Sequence, residues 1–251
     1  MQRKSDDLKS YIRSLEVPEA PPSDVLSADD VLEAGKTEAT VVGSEVISFT
    51  DEVALDVRQA IIDSALLAQL VAKKRVLDDS LIYEWFDEYF DVLRNLGWVV
   101  QDSGFTEYVA TSDDFEAHKA VIDLATDLLG LANPALILVK KALTTLRDAQ
   151  DDEPFFTIWT RETRKAHSGR FQVSLVDSDA TGHFVTLLAF GMHASSQLTQ
   201  VLLVKVRRND VRIKNKSAKV SINSELLKSN HPEIREKILA HQRSYIIDLD
   251  I

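Results

Sequence analysis

The chain has no cysteine, which excludes disulfides, thiolate zinc sites and cysteine nucleophiles. Glycine and proline are scarce, 8 and 6 among 251 residues, and no glycines cluster, so no Gly-rich phosphate loop exists. No apolar run approaches the ~20 residues that span a bilayer. The N-terminal MQRKSDDLKSYIRSLEV lacks the apolar stretch of a secretory signal. A soluble, cytoplasmic protein is therefore expected, with non-classical export left open. His167, His183, His193, His231 and His241 are scattered and form no HExxH or paired-His pattern. No metal or other cofactor is expected. His193 with Ser195 and Ser196 has no GxSxG elbow around it, and reads as a polar turn.

What is present is charge, unevenly placed. Residues 1–157 carry 14 Lys/Arg against 31 Asp/Glu, and residues 158–251 carry 15 against 9, within a total of −11. Such an asymmetry points to an anionic partner or to self-association. Seven basic groups lie close together: Lys205, Arg207, Arg208, Arg212, Lys214, Lys216 and Lys219.

Residues 1–46 read as a mobile arm. Within it Leu8, Tyr11, Ile12 and Leu15 recur at helical spacing, ahead of Pro18, Pro21 and Pro22. A helix this short is marginal unless it docks, on its own body or on a partner's groove. As a tethered recognition peptide it could be deleted without lowering the body's stability.

Residues 47–251 read as one α+β domain. A helix is expected after Thr50 as cap, running to Arg75 and apolar on every side, the mark of a central buried helix. Further helices are expected over about 80–96, 113–130 and 134–149, the last opened by Asn133-Pro134. Short connections make these an antiparallel bundle. From about residue 154 the period shifts to 2: Phe156-Ile158, then Phe171-Val173-Leu175, then longer apolar runs to Val220-Ile222. A closing helix is expected from Asn230 as cap with Pro232 in its first turn. The expected architecture is a helical half (50–149) packed on a β-rich half (154–251), an antiparallel meander closed by a helix.

Asp177-Ser178-Asp179-Ala180-Thr181 follows a strand and resembles the DxDxT loop of the haloacid-dehalogenase phosphotransferases. That resemblance implies Asp177 as nucleophile, Asp179 as acid/base and Mg²⁺ as cofactor. It covers these residues only. The family needs later parallel βα units, whereas about 70 residues follow here, with no acidic pair before Asp248 and Asp250. As a calcium loop the segment fails too, since Leu188 stands where a bidentate Glu is required. The favoured reading is an exposed hairpin turn.

The basic stretch is the better candidate site. With Val204, Val206, Val211 and Ile213 inward, alternation puts Lys205, Arg207, Arg212 and Lys214 on one solvated face, a two-stranded basic ribbon. No aromatic interleaves it, and the acidic remainder repels a polyanion, so nucleic acid is disfavoured. The leading expectation is a non-enzymatic protein-binding or assembly protein, acting through the ribbon and the arm on a protein partner or a second copy. The alternative is a membrane-surface or virulence-type effector, because Lys140 and Lys141 adjoin a strongly apolar helix face suited to anionic lipid. A metal-dependent phosphotransferase or hydrolase centred on Asp177 and Asp179 is the second alternative.

Overall fold

The computed structural model describes all residues except 1, 22–31, 34, 103, 109–113, 132–133, 150–152, 166, 180–181, 196–204, 208–210 and 250–251. It is a mixed α+β structure whose centre is a nine-stranded sheet. The chain opens with helix α1 (Gln2–Ser14), then strands β1 (Glu38–Val42) and β2 (Glu45–Phe49). Helices α2 (Leu55–Arg75) and α3 (Ile82–Asn95) follow, then β3 (Trp98–Asp102), β4 (Thr106–Glu107) and β5 (Asp114–Glu116). Helices α4 (Ala117–Leu129), α5 (Pro134–Asp148) and α6 (Pro154–Thr163) come next, with β6 (Arg164–Lys165), β7 (Ser168–Asp179) and β8 (Gly182–Ala194) behind them. The chain continues through β9 (Lys205–Arg207), β10 (Val211–Ile222), α7 (Ser224–Ile238), α8 (Gln242–Tyr245) and β11 (Ile246–Leu249).

Strand order is β11-β1-β2-β7-β8-β10-β3, with β4 beside β10 and β6 beside β7. Pairing is antiparallel except between β2 and β7, which run parallel. The sheet is thus not a purely C-terminal meander. The β1–β2 hairpin joins it from residues read as arm and helix cap, because Ala39 to Phe49 is rich in β-branched residues around a tight turn. Val42 faces Glu45, and Gly43 turns the chain at φ 57°. A Cβ at Gly43 would collide with the Gln69 side chain, so glycine is required twice over there.

Helices cover both faces, so they form two layers and not one bundle. On one face α1, α2, α3 and α7 build an apolar cluster with Ile47, Phe49, Val185, Leu187 and Val220. On the other, α4, α5 and α6 build a second cluster with Val46, Phe171, Val173, Leu175, Phe190 and Met192. Helix α2 is buried almost continuously from Val57 to Ala72, as a helix apolar all round must be. It starts at Leu55 with Ala54 as cap; Thr50 instead donates its hydroxyl to Asp177 at 3.0 Å.

Three local expectations change. Residues 154–163, read as a strand, are helix α6: Pro154 opens it, and Phe156, Trp159 and Thr163 are buried at helical spacing. A window of three residues cannot separate period 2 from period 3.6. The closing helix begins at Ser224, capped by Asn223, and Pro232 lies inside it. Finally α1 lies on α7 with Leu8, Ile12 and Leu15 buried in the first cluster. Lys9 pairs with Glu233 at 2.8 Å, and Lys237 donates to the Arg13 carbonyl at 2.9 Å. Of the arm 1–46, residues 2–21 and 38–46 are therefore held against the body.

Candidate functional site

The proposed ribbon residues fall in two sheets. Lys205 and Arg207 lie on β9, which pairs with β5 in a separate two-stranded sheet, while Arg212 and Lys214 lie on β10 beside β8. Arg212 and Lys214 are exposed, but the Lys214 ammonium sits 4.8 Å from the Tyr83 ring centroid. Lys216, from the same run, is buried 4.5 Å from the Phe90 ring. Part of this basic stretch therefore serves cation–π packing on α3. Of the arm residues, Leu8, Ile12 and Leu15 are buried and Tyr11 is half-buried. Asp177 is exposed and accepts from Thr50 and from the Ser178 amide. Asp179 ends β7 opposite Gly182. Among the described residues no three His, Asp or Glu side chains come together as a metal would require.

The structure instead reveals a polar seam between the sheet and helices α2 and α3. Alternation on β7 sends Phe171, Val173 and Leu175 to one apolar cluster and Arg170, Gln172 and Ser174 to the other face, where all three are buried. Beside them, on β2, lies the fully buried Glu45. Its carboxylate accepts from the Ser174 hydroxyl at 2.5 Å, the Tyr89 hydroxyl at 2.8 Å and the Gln69 amide at 3.5 Å. No cation pairs with it among the described residues. Burial raises its pKa from 4.5 to about 7, against the lowering effect of those three hydrogen bonds. Tyr89 is raised well above its ordinary range by burial and by Glu45. Gln69 and Ser44 continue the network: the Gln69 carbonyl accepts from the Ser44 amide, and the Ser44 hydroxyl donates to Gln172.

The seam opens to solvent through a charged mouth. Glu162 accepts from Lys73 at 2.9 Å and Arg161 at 2.6 Å. Burial would raise its pKa, but the two cations outweigh burial and hold it below the ordinary value. Arg170 lies 4.4 Å from the Trp85 ring centroid and faces Asp79 of the α2–α3 loop. That loop is brought down by the start of α3, which packs on Gly191: a Cβ there would lie 3.0 Å from Ile82 and 3.1 Å from Tyr83.

Two segments carry large exposed apolar side chains. Leu77 in the α2–α3 loop is 84% exposed, with Leu81 exposed beside it, while Leu131 after α4 is 83% and Ile137 on α5 71% exposed. The Asp79 main-chain carbonyl accepts from the Ser168 hydroxyl at the start of β7, and Ser168 is level with His193 and Arg212. Tyr108 donates its amide to Ile213, next to Arg212, and feels the charges of Asp123 and Asp127 on α4. Lys140 and Lys141 follow Ile137 by three and four residues, on one side of α5.

No family model matches the chain, and no curated protein matches it by sequence. Among solved structures it is similar to the activated Cyt2Ba monomer from Bacillus thuringiensis subsp. israelensis: 17% identity, 55% of this chain and 81% of that one, TM-score 0.35. It is similar to a delta-endotoxin at 13% identity, covering 87% and 98%, TM-score 0.43. It is also similar to the Evf virulence factor at 11% identity, covering 92% and 89%, TM-score 0.36. All three likenesses are remote.

Sequence reasoning missed the seam for an identifiable reason. Alternation along Phe171–Val176 predicts a half-buried strand, yet its polar face is buried as well. The available signal was Glu45, a lone carboxylate inside Val41–Phe49, and Arg170 and Gln172 inside an apolar strand.

Proposed function

We propose that the protein is a non-enzymatic membrane-surface effector that associates peripherally with anionic lipid. The observation that carries this reading is the α4–α5 tip, where exposed Leu131 and Ile137 stand beside Lys140 and Lys141. Large apolar side chains rimmed by lysine suit the boundary between headgroups and acyl chains. Burying two such side chains contributes about 1.5–3 kcal/mol each, and each lysine near an anionic surface about 1 kcal/mol. After ordering costs, a net on the order of 5 kcal/mol corresponds to reversible, sub-millimolar association. Among the described residues no helix is long and apolar enough to cross a membrane. The competing protein-binding reading relied on the ribbon and the arm, and the arm's apolar residues are already packed in the body against α7.

Sedimentation with vesicles tests it. The wild type should pellet with equimolar phosphatidylcholine and phosphatidic acid and less with phosphatidylcholine alone. The double variant Leu131→Ser, Ile137→Ser should lose most of that binding while keeping its melting temperature, because both side chains are exposed. Equal recovery of wild type and variant would refute the role of this tip.

A further inference from the structure

At the mouth of the seam, two cations face one carboxylate. Arg170 is only 3% exposed, its guanidinium carbon lies 4.4 Å from the Trp85 ring centroid, and its Nε–H has no acceptor among the described residues. Its NH1 stands 3.7 Å from Asp79 Oδ1, and Lys165 Nζ stands 3.5 Å from Asp79 Oδ2. Both separations are longer than a well-formed charge-assisted hydrogen bond of about 2.7–2.9 Å. Glu162 nearby, by contrast, is held by Lys73 and Arg161 at 2.9 and 2.6 Å. Those two pairs hold Glu162 closely, whereas Asp79 meets its two cations only at longer range.

A carboxylate has two oxygens about 2.2 Å apart in one plane, and here they reach the two cations only loosely. A phosphate group offers three or more oxygens on a wider tetrahedron and up to two negative charges. A nearly buried arginine with an unused N–H is the side chain best suited to take such a group in charge-assisted, bidentate fashion. The loop carrying Asp79 is exposed: Asp78 closes its turn by accepting from the Ser80 amide and hydroxyl, and Leu77 and Leu81 project on either side.

We propose that Arg170 and Lys165 form a phosphate-binding site that Asp79 occupies as an internal stand-in. An incoming phosphate displaces the Asp79 carboxylate to solvent and takes both cations. When the phosphate belongs to a lipid headgroup, Leu77 and Leu81 are placed to enter the acyl boundary. That arm of the inference rests on the membrane-surface reading; the site itself does not.

The experiment compares wild type, Asp79→Asn and Lys165→Ala by vesicle sedimentation, on the two lipid compositions above, and by thermal melting with inorganic phosphate. Asp79→Asn removes the internal competitor and should bind phosphatidic acid vesicles several-fold more tightly than wild type. Lys165→Ala should bind about tenfold more weakly, the loss of one charge-assisted contact. Inorganic phosphate should raise the melting temperature of Asp79→Asn above that of Lys165→Ala. A vesicle effect without the phosphate shift assigns the site to headgroups alone. A phosphate shift with no vesicle binding keeps the site and overturns the membrane reading. If the wild type binds vesicles, the substitutions at 79 and 165 change nothing and the Leu131/Ile137 variant still fails to bind, the site is overturned and the membrane reading survives. No vesicle binding and no phosphate shift overturns both.

Discussion

Replacing Glu45 with glutamine should abolish a pH dependence that this one carboxyl imposes on stability. In the folded protein Glu45 is completely buried and titrates at about 7, against 4.5 when solvated. Between those values the folded state holds a proton that the unfolded state has released. Stability therefore falls as pH rises. The contribution is fully present below about pH 4.5 and is lost as pH passes through about 7. The difference in pKa corresponds to a loss of about 3 kcal/mol by the time the group is ionised in both states. Glutamine keeps the shape and the acceptor oxygen for Tyr89 but cannot ionise. Urea unfolding of wild type and Glu45→Gln should give similar stabilities near about pH 5. By about pH 8 the variant should be ahead by up to about 3 kcal/mol. Subtracting the two curves cancels the other titrating groups, including His241, whose pKa burial lowers. A wild-type-minus-variant difference that stays flat across this range would refute the reasoning, since the linkage relation permits no other outcome for a buried carboxyl with this shift.

Other expectations follow from burial. Leu66→Ala, at the centre of α2 and 1% exposed, should cost about 2–5 kcal/mol in denaturant unfolding, the range for cavity-forming changes. Deleting residues 1–21 should lower stability by several kcal/mol, because Leu8, Ile12 and Leu15 are each buried against α7 and each contributes about 1.5–3 kcal/mol; an unchanged midpoint would restore the free-arm picture. Asp177→Asn should change stability by less than about 1 kcal/mol, as the side chain is exposed and its neighbours are ordinary hydrogen-bond donors. Millimolar Mg²⁺ or Ca²⁺ should leave the melting temperature of the wild type unmoved, and a rise of several degrees would revive the phosphotransferase alternative, since a ligand specific to the folded state stabilises it.

Long periodic segments were legible in the sequence, and side-chain partners were not. The all-round apolar pattern of Val57–Ala72 required a central helix, and α2 is one. The helix expected over about 80–96 is α3, and Gly97 at φ 93° follows its end. The α4 and α5 helices lie within a few residues of their expected ranges. What failed was local or three-dimensional. Ala39–Phe49 fell between an arm and a helix cap because a hairpin of five-residue strands gives little periodic signal. Residues 154–163 offered both periods at once. The parallel pairing of β2 with β7 joins residues about 130 apart, which no local pattern encodes. The seam was hidden by the same fact: only that pairing sets Glu45 beside Gln172 and under Tyr89.

The two faces of the sheet differ in what they ask of the chain. Toward α4–α6 the buried strand side chains are almost wholly apolar, so packing there is tolerant of pH and salt. Toward α2 and α3, buried polar side chains, among them Ser44, Glu45, Gln69, Arg170, Gln172 and Ser174, interrupt the apolar contact. Each must be hydrogen-bonded to offset its desolvation, and an unpaired polar group there costs more than an apolar one would gain. Within this layer Glu45 is the group whose demands change most with conditions: protonated, it is neutral and bonded; ionised, it is a buried anion with no countercharge beside it among the described residues. The α2–α3 loop that carries Leu77 and Asp79 hangs from this same layer. Ionising Glu45 should therefore loosen the layer's hold on the sheet before it affects the apolar face, and amide exchange in α3 should quicken with pH beyond the intrinsic rate while α5 follows the intrinsic rate alone. Equal acceleration in α3 and α5 would show instead that the molecule opens only as a whole.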